Sequence, residues 1–173
     1  MERGGLMASP LLGLIPAAAG LLAVVIGDLP FSLLGGNIPP PLLSLMPVYF
    51  WSMVRPDLMP PALAFVIGFL EDLLSGGAPG YWGLSYVVTY SLIDVQRDVF
   101  AGLSGIGAVA GFATAALVTC IAYYVIACVM NAALLPAGTL LSQVVISVIY
   151  YPLVALLMNF VHRRFVGAQR SDV

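Results

Sequence analysis

The chain has no lysine at all, a single histidine and two cysteines in 173 residues, and only 8% of its residues are charged. Each scarcity excludes something. Without lysine and with a net charge of -2, there is no basic surface of the kind that neutralises nucleic-acid phosphates. With His162 alone, and with Cys120 and Cys128 eight residues apart in an apolar run, no metal-ligand spacing can be drawn. The cysteines read as small buried hydrophobes. There is no GxxxxGK[ST], no GxSxG, no HExxH and no Ser/His/Asp set, so no catalytic machinery, cofactor site or metal site is predicted, and the chain is not expected to be an enzyme.

What the chain does have is apolar residues. They make up 61% of it, and its mean hydropathy is +1.06. A soluble domain of this size could not cover its surface with the polar groups that remain. The composition predicts an all-α polytopic membrane bundle. At roughly 20 residues per span, six spans use about 120 residues and leave only short loops. The apolar segments run from about Leu6 to Gly27, Pro40 to Val54, Leu58 to Leu74, Tyr81 to Ile93, Phe100 to Met130 and Leu134 to Val161. Together they form one integral membrane domain over residues 1–173. The second and fourth are short for full crossings, and the fifth is long enough to tilt. Turn-forming residues punctuate them: Gly35-Gly36-Asn37 with Pro39–Pro41, Arg55-Pro56-Asp57, Gly76-Gly77-Ala78-Pro79-Gly80, and Asn131 to Gly138 around Pro136. Pro47 and Pro152 fall inside spans and are expected to kink them.

The arginines test this segmentation. Arg3 precedes the first span, Arg55 and Arg97 lie in the second and fourth connections, and Arg163, Arg164 and Arg170 follow the sixth span. Six spans put all of them on one side, which the positive-inside rule makes cytoplasmic. Both termini are then cytoplasmic, whereas five spans would split the arginines. Asp57, Asp94 and Asp98 share the cytoplasmic turns as surface ion pairs, while Asp28, Glu71 and Asp72 fall at outer helix ends.

Carboxylates are costly in hydrocarbon and are found where a helix ends or faces a protein interior. In the third segment Gly68, Asp72 and Gly76 are spaced by four and so share one helical face, with Glu71 about a quarter turn away. A small–acid–small stripe admits a helix closely and offers it an acceptor. It serves either a partner helix or internal packing. In the fourth segment Trp82, Tyr86 and Tyr90 repeat the spacing, and Asp94 extends the row. That row is either a ligand-stacking wall or an interfacial belt with core packing. Gly107, Gly111 and Ala115 give the fifth segment a small-residue face for helix packing.

The run from Pro47 to Tyr90 resembles the MreD family of rod-shape-determining bacterial inner-membrane proteins. The resemblance is carried by Pro47, Tyr49-Phe50-Trp51, Arg55-Pro56, Phe65, Gly68-x-x-x-Asp72-Leu73-Leu74, Gly76 or Gly77, Gly80, Tyr86 and Tyr90. These residues cover about a quarter of the chain, and Glu71 departs from a position that looks apolar in the family. The resemblance implies a non-catalytic scaffold of the elongasome in the bacterial cytoplasmic membrane. Its implied partners are an MreC-like protein and, in a larger complex, the actin-like MreB, the polymerase RodA and its partner transpeptidase. Its role would be to support lateral peptidoglycan synthesis and rod shape. Gly68, Glu71, Asp72, Gly76, Trp82, Tyr86 and Tyr90 are then candidates for partner contact. The alternative is the substrate-binding membrane subunit of an energy-coupling-factor-type vitamin transporter, with the Trp82–Tyr90 row and the outer acids lining its pocket. The cytoplasmic Ala-rich docking motif of that family is not seen, and Ala17-Ala18-Ala19-Gly20 in the first helix is the stretch that keeps this reading open.

Overall fold

The computed structural model describes residues 10–28, 39–100, 105–132 and 138–166. Among them are six α-helices: α1 (Pro10–Gly27), α2 (Leu45–Val54), α3 (Pro61–Leu74), α4 (Tyr81–Phe100), α5 (Ile106–Asn131) and α6 (Gly138–Val161). A 3-10 turn at Pro56–Leu58 links α2 to α3, and a π turn at His162–Val166 continues α6. The protein is therefore all-α. Arg3, Arg170, the Gly35–Asn37 turn and Pro136 lie outside the described residues, as do the side chains of Arg97 and Asp98.

Among the described residues two helices are long and apolar enough to cross a membrane. The stretches Gly107–Asn131 and Gly138–Arg164 have mean hydropathies of 2.1 and 2.2. α1 and α2 are apolar but shorter. Large apolar side chains of α6, among them Ile149, Leu153, Leu156 and Phe160, are each about two-thirds exposed. An apolar surface of this kind is rare on soluble monomers and marks a face that contacts another protein, a ligand or a membrane.

Consecutive helices from α3 to α6 pack on one another, while α2 touches α1, α4, α5 and α6. The short helix is the hub: seven of its ten residues are buried, Leu45, Met46 and Trp51 completely. Tyr49 projects into an aromatic triad in which Phe112 of α5 and Tyr151 of α6 stack at 4.1 Å. Both meet the Tyr49 ring edge-on, at 5.6 and 5.7 Å. One side chain thus locks three helices, and edge-to-face geometry adds about 0.5–1.5 kcal/mol per pair beyond simple burial.

Two sequence expectations change at α2. The apolar run from Pro40 does not begin as helix: residues 40–44 are irregular and helix starts at Leu45. Pro40 and Pro41 have no N–H to satisfy. Of the donors that follow, Leu42 donates to Ser147 Oγ of α6 at 2.8 Å, and Leu43 donates to the Pro41 carbonyl at 2.8 Å. Irregular backbone in this buried position is tolerable because these two donors are consumed inside the protein. Pro47 consequently lies in the first turn of α2, where the amide it lacks would be unpaired anyway, so it does not kink the helix.

Buried hydroxyls follow the same accounting. Ser52, Ser85 and Ser147 each donate to the carbonyl four residues earlier. Thr89 and Thr119 pair with each other across α4 and α5 at 2.7 Å, one donating its single proton to the other, which in turn donates to the carbonyl four residues before it.

Candidate functional site

The acidic stripe of α3 and the aromatic row of α4 meet in one hairpin of helices. α3 starts on Pro61, whose fixed φ suits a first helical position, and ends at Leu74. Beyond it Ser75 N–H reaches the Glu71 carbonyl at 2.9 Å and Gly77 N–H reaches the Asp72 carbonyl at 3.0 Å. Gly76 between them has φ +68°. This is a Schellman closure, which needs a left-handed residue that glycine supplies without a Cβ penalty. Pro79 and Gly80, the latter at φ +97°, then turn the chain back into α4.

Asp72 is 1% exposed, and its carboxylate lies against the first turn of α4. Oδ2 accepts from Gly80 N–H at 2.9 Å, both oxygens accept from Trp82 N–H at 3.1 Å, and Gly83 N–H approaches Oδ2 at 3.4 Å. The first N–H groups of a helix have no intrahelical acceptor and carry the positive end of the helix dipole. Asp72 therefore caps α4 from another helix. A buried carboxylate is tolerated here because its negative charge is spread over three backbone donors.

Gly68 makes that approach possible. A Cβ at this position would lie 2.7 Å from the Trp82 carbonyl oxygen and 2.8 Å from Gly83 N and Cα, all of them backbone atoms. From the other side, a Cβ on Gly83 would lie 3.1 Å from the Phe65 ring. The helix that approaches the Gly68–Asp72 face is thus α4 itself, and both residues are enclosed by it. Gly76, expected on the same face, lies beyond the helix end and is exposed, and a Cβ added there would meet nothing within 4 Å. It belongs to the turn and not to the stripe.

Glu71 points elsewhere, as its quarter-turn offset requires. Its Oε2 is buried and has no hydrogen-bond partner among the described residues, as is also true of Asp28 Oδ2 at the end of α1. The Ser44 side chain and the carboxyls of Asp28 and Asp72 lie near enough to act on its carboxyl. Ser44 Oγ and Tyr86 OH are hydrogen-bonded at 2.5 Å, which ties the entry of α2 to α4. Trp82, Tyr86 and Tyr90 are all buried in the core. Trp82 stacks on Tyr123 of α5 at 4.2 Å and meets Tyr86 edge-on at 6.2 Å. The row is packed against protein along its length, and Asp94 at its end is exposed.

On the arginine-bearing side, Arg55 and Asp57 form a two-pronged pair, Nε to Oδ1 at 2.9 Å and Nη2 to Oδ2 at 2.7 Å. The guanidinium holds the Asp57 carboxyl below its ordinary range, and the carboxylate raises Arg55 further. Trp51, fully buried, meets the His162 ring edge-on at 5.8 Å. Among the described residues no group of three His, Cys, Asp or Glu side chains is placed to hold a metal ion. Cys120 and Cys128 are free thiols.

The residues that sequence reasoning passed over are Ser44, Ser147, Thr89 and Thr119. Their signal was available in part, since a hydroxyl in an apolar run must find an acceptor. What the arrangement does chemically is hold helices together: a remote cap, a glycine crossing and interhelical hydroxyl pairs. Among the described residues it belongs to an all-α arrangement in which two helices are long and apolar enough to cross a membrane. Comparison with protein-family descriptions, with characterised proteins and with solved structures finds no match.

Proposed function

We propose that this chain is a six-span, non-catalytic scaffold of the bacterial cytoplasmic membrane, with both termini cytoplasmic, which binds an MreC-like protein within the elongasome and supports lateral peptidoglycan synthesis and rod shape. The observation that carries the reading is that the residues on which the MreD resemblance rests form one connected frame. Tyr49 and Trp51 fill the hub helix, Gly68 and Asp72 fix α3 to α4, Gly76 and Gly80 make the turn, and Tyr86 returns to α2 through Ser44. A pattern whose members brace one another is what a rigid docking platform requires. The exposed apolar surface of α6 and the one-sided arginines support the membrane placement.

With Gly68 and Asp72 turned inward, their part in this function is to hold the platform's shape. The vitamin-transporter reading draws less support, because Trp82, Tyr86 and Tyr90 are packed against protein rather than lining a cavity. The test is co-purification with an MreC-like protein in mild detergent, with mass spectrometry of small molecules that stay bound. A stoichiometric protein partner is expected. A lone chain carrying a vitamin-like ligand would overturn the proposal.

A further inference from the structure

We infer that the groove between α1 and α6 holds an acyl chain of an anionic phospholipid whose headgroup is engaged by Arg163 and Arg164; this rests on the membrane placement proposed above. Leu43 of the irregular entry segment and Pro47 of α2 form the floor of the groove, and α1 and α6 form its walls. Its volume is about 560 Å³, and its lining residues, such as Ala18, Ala19, Leu22, Leu157 and Val161, are all apolar.

Two features choose the occupant. The first is depth. The α1 wall runs from Ile15 to Ile26, a rise of about 16 Å at helical pitch. That is about half of a hydrocarbon core of roughly 30 Å, the depth of one leaflet. The second is charge. The α6 wall ends at Val161, and the next residues are His162, Arg163 and Arg164, both arginines exposed. α6 itself contains no acid that would neutralise them. An apolar slot one leaflet deep, with two cations just past the end of one wall, matches a lipid with an apolar tail and a negatively charged headgroup. A partner helix would gain nothing from the cations unless it too ended in acids.

The experiment uses the full chain in vesicles of phosphatidylglycerol or of phosphatidylcholine with the same acyl chains. An alkaline wash comes first, then extraction into mild detergent, and native mass spectrometry measures the lipid retained. Phosphatidylglycerol is expected to be retained in preference. R163Q/R164Q should cut that preference roughly thirtyfold, the loss expected from two basic residues at a membrane surface. Ala19→Trp should abolish retention of either lipid. Equal retention of both lipids by the wild-type chain would overturn the inference, as would an undiminished preference in R163Q/R164Q. Crosslinking of position 19 to a second copy or to another protein's helix would overturn it too. Should Ala19→Trp fail to fold, the exposed arginine pair still decides the matter. A chain released by the alkaline wash would refute the membrane placement itself. A chain that stays integral yet retains no phosphatidylglycerol would refute only the lipid site.

Discussion

Gly68→Ala is the smallest perturbation of the α3–α4 crossing, because it adds one methyl group where only backbone stands. The new Cβ would start 2.7 Å from the Trp82 oxygen, while ordinary contact begins near 3.4 Å, so the helices must part by about 0.7 Å along that line. Neither the carbonyl of Trp82 nor the backbone of Gly83 can rotate away. The same movement draws α4's first turn off Asp72, and bonds of 2.9 and 3.1 Å have little slack before they cease to be hydrogen bonds. Overpacking costs about 1–3 kcal/mol, weakened bonds to a buried carboxylate cost about 1.5–3, and alanine's better helix propensity offsets about 0.5–1, for a net loss of about 1.5–5.5 kcal/mol. Gly83→Ala is the matched control. Its nearest obstacle is the Phe65 ring at 3.1 Å, a side chain able to yield, although the Phe65 carbonyl stands at 3.2 Å, and its cost should be about 1 kcal/mol. Equilibrium unfolding of the purified variants in mixed micelles, followed by circular dichroism, ranks the two. Amide hydrogen exchange at Gly80, Trp82 and Gly83 reads the cap directly and should quicken in Gly68→Ala. If Gly68→Ala is no less stable than Gly83→Ala, or if those amides exchange as slowly as in the wild type, the coupling of the glycine crossing to the Asp72 cap is refuted.

Two further outcomes follow from other parts of the bundle. Thr119→Val keeps shape but removes the 2.7 Å pair with Thr89, and the same unfolding assay should show a loss of about 0.6 kcal/mol and no more than about 1.7, the average and upper end for hydrogen bonds between membrane helices; an unchanged midpoint would mean that the pair contributes nothing. Asp57 is held below its ordinary value by Arg55, so the pair's contribution is fully present above a pH of roughly 4 and fades as pH falls through the lower folded value. Asp57→Asn should therefore flatten the acid limb of the stability profile by an amount within the about 0–1 kcal/mol of exposed pairs, and an identical acid limb would show the pair to be inert.

The helices were legible because apolar runs of this length have few other solutions, and glycine- and proline-rich breaks marked most of their ends. The Gly76–Gly80 turn was legible for the same local reason. The fourth segment is too short as drawn from the sequence, since α4 continues as helix past Ile93 through Asp94 and Arg97 to Phe100, where the polar residues read as a turn. The spacing of Gly68 and Asp72 announced a close crossing but not its occupant, since a helical face looks the same whether the neighbour comes from this chain or another. Asp72 as the cap of α4 was hidden by convention: a cap is sought just before the helix it serves, and this one reaches across the turn from the helix before. The irregular entry to α2 was hidden for a related reason, because the hydroxyl that accepts the Leu42 N–H lies 105 residues further along the chain.

That last separation bears on how the protein is made. Chains emerge from the ribosome N-terminus first, so among the described helices α6 arrives after the other five. Until it does, the Leu42 amide has no Ser147 to bond and the aromatic triad lacks Tyr151. The first five helices must wait half-assembled, with one polar backbone group unanswered at the entry to their central helix. The arrival of α6 closes the bundle, and a chain cut short before Ser147 would leave quality-control machinery a specific defect to find.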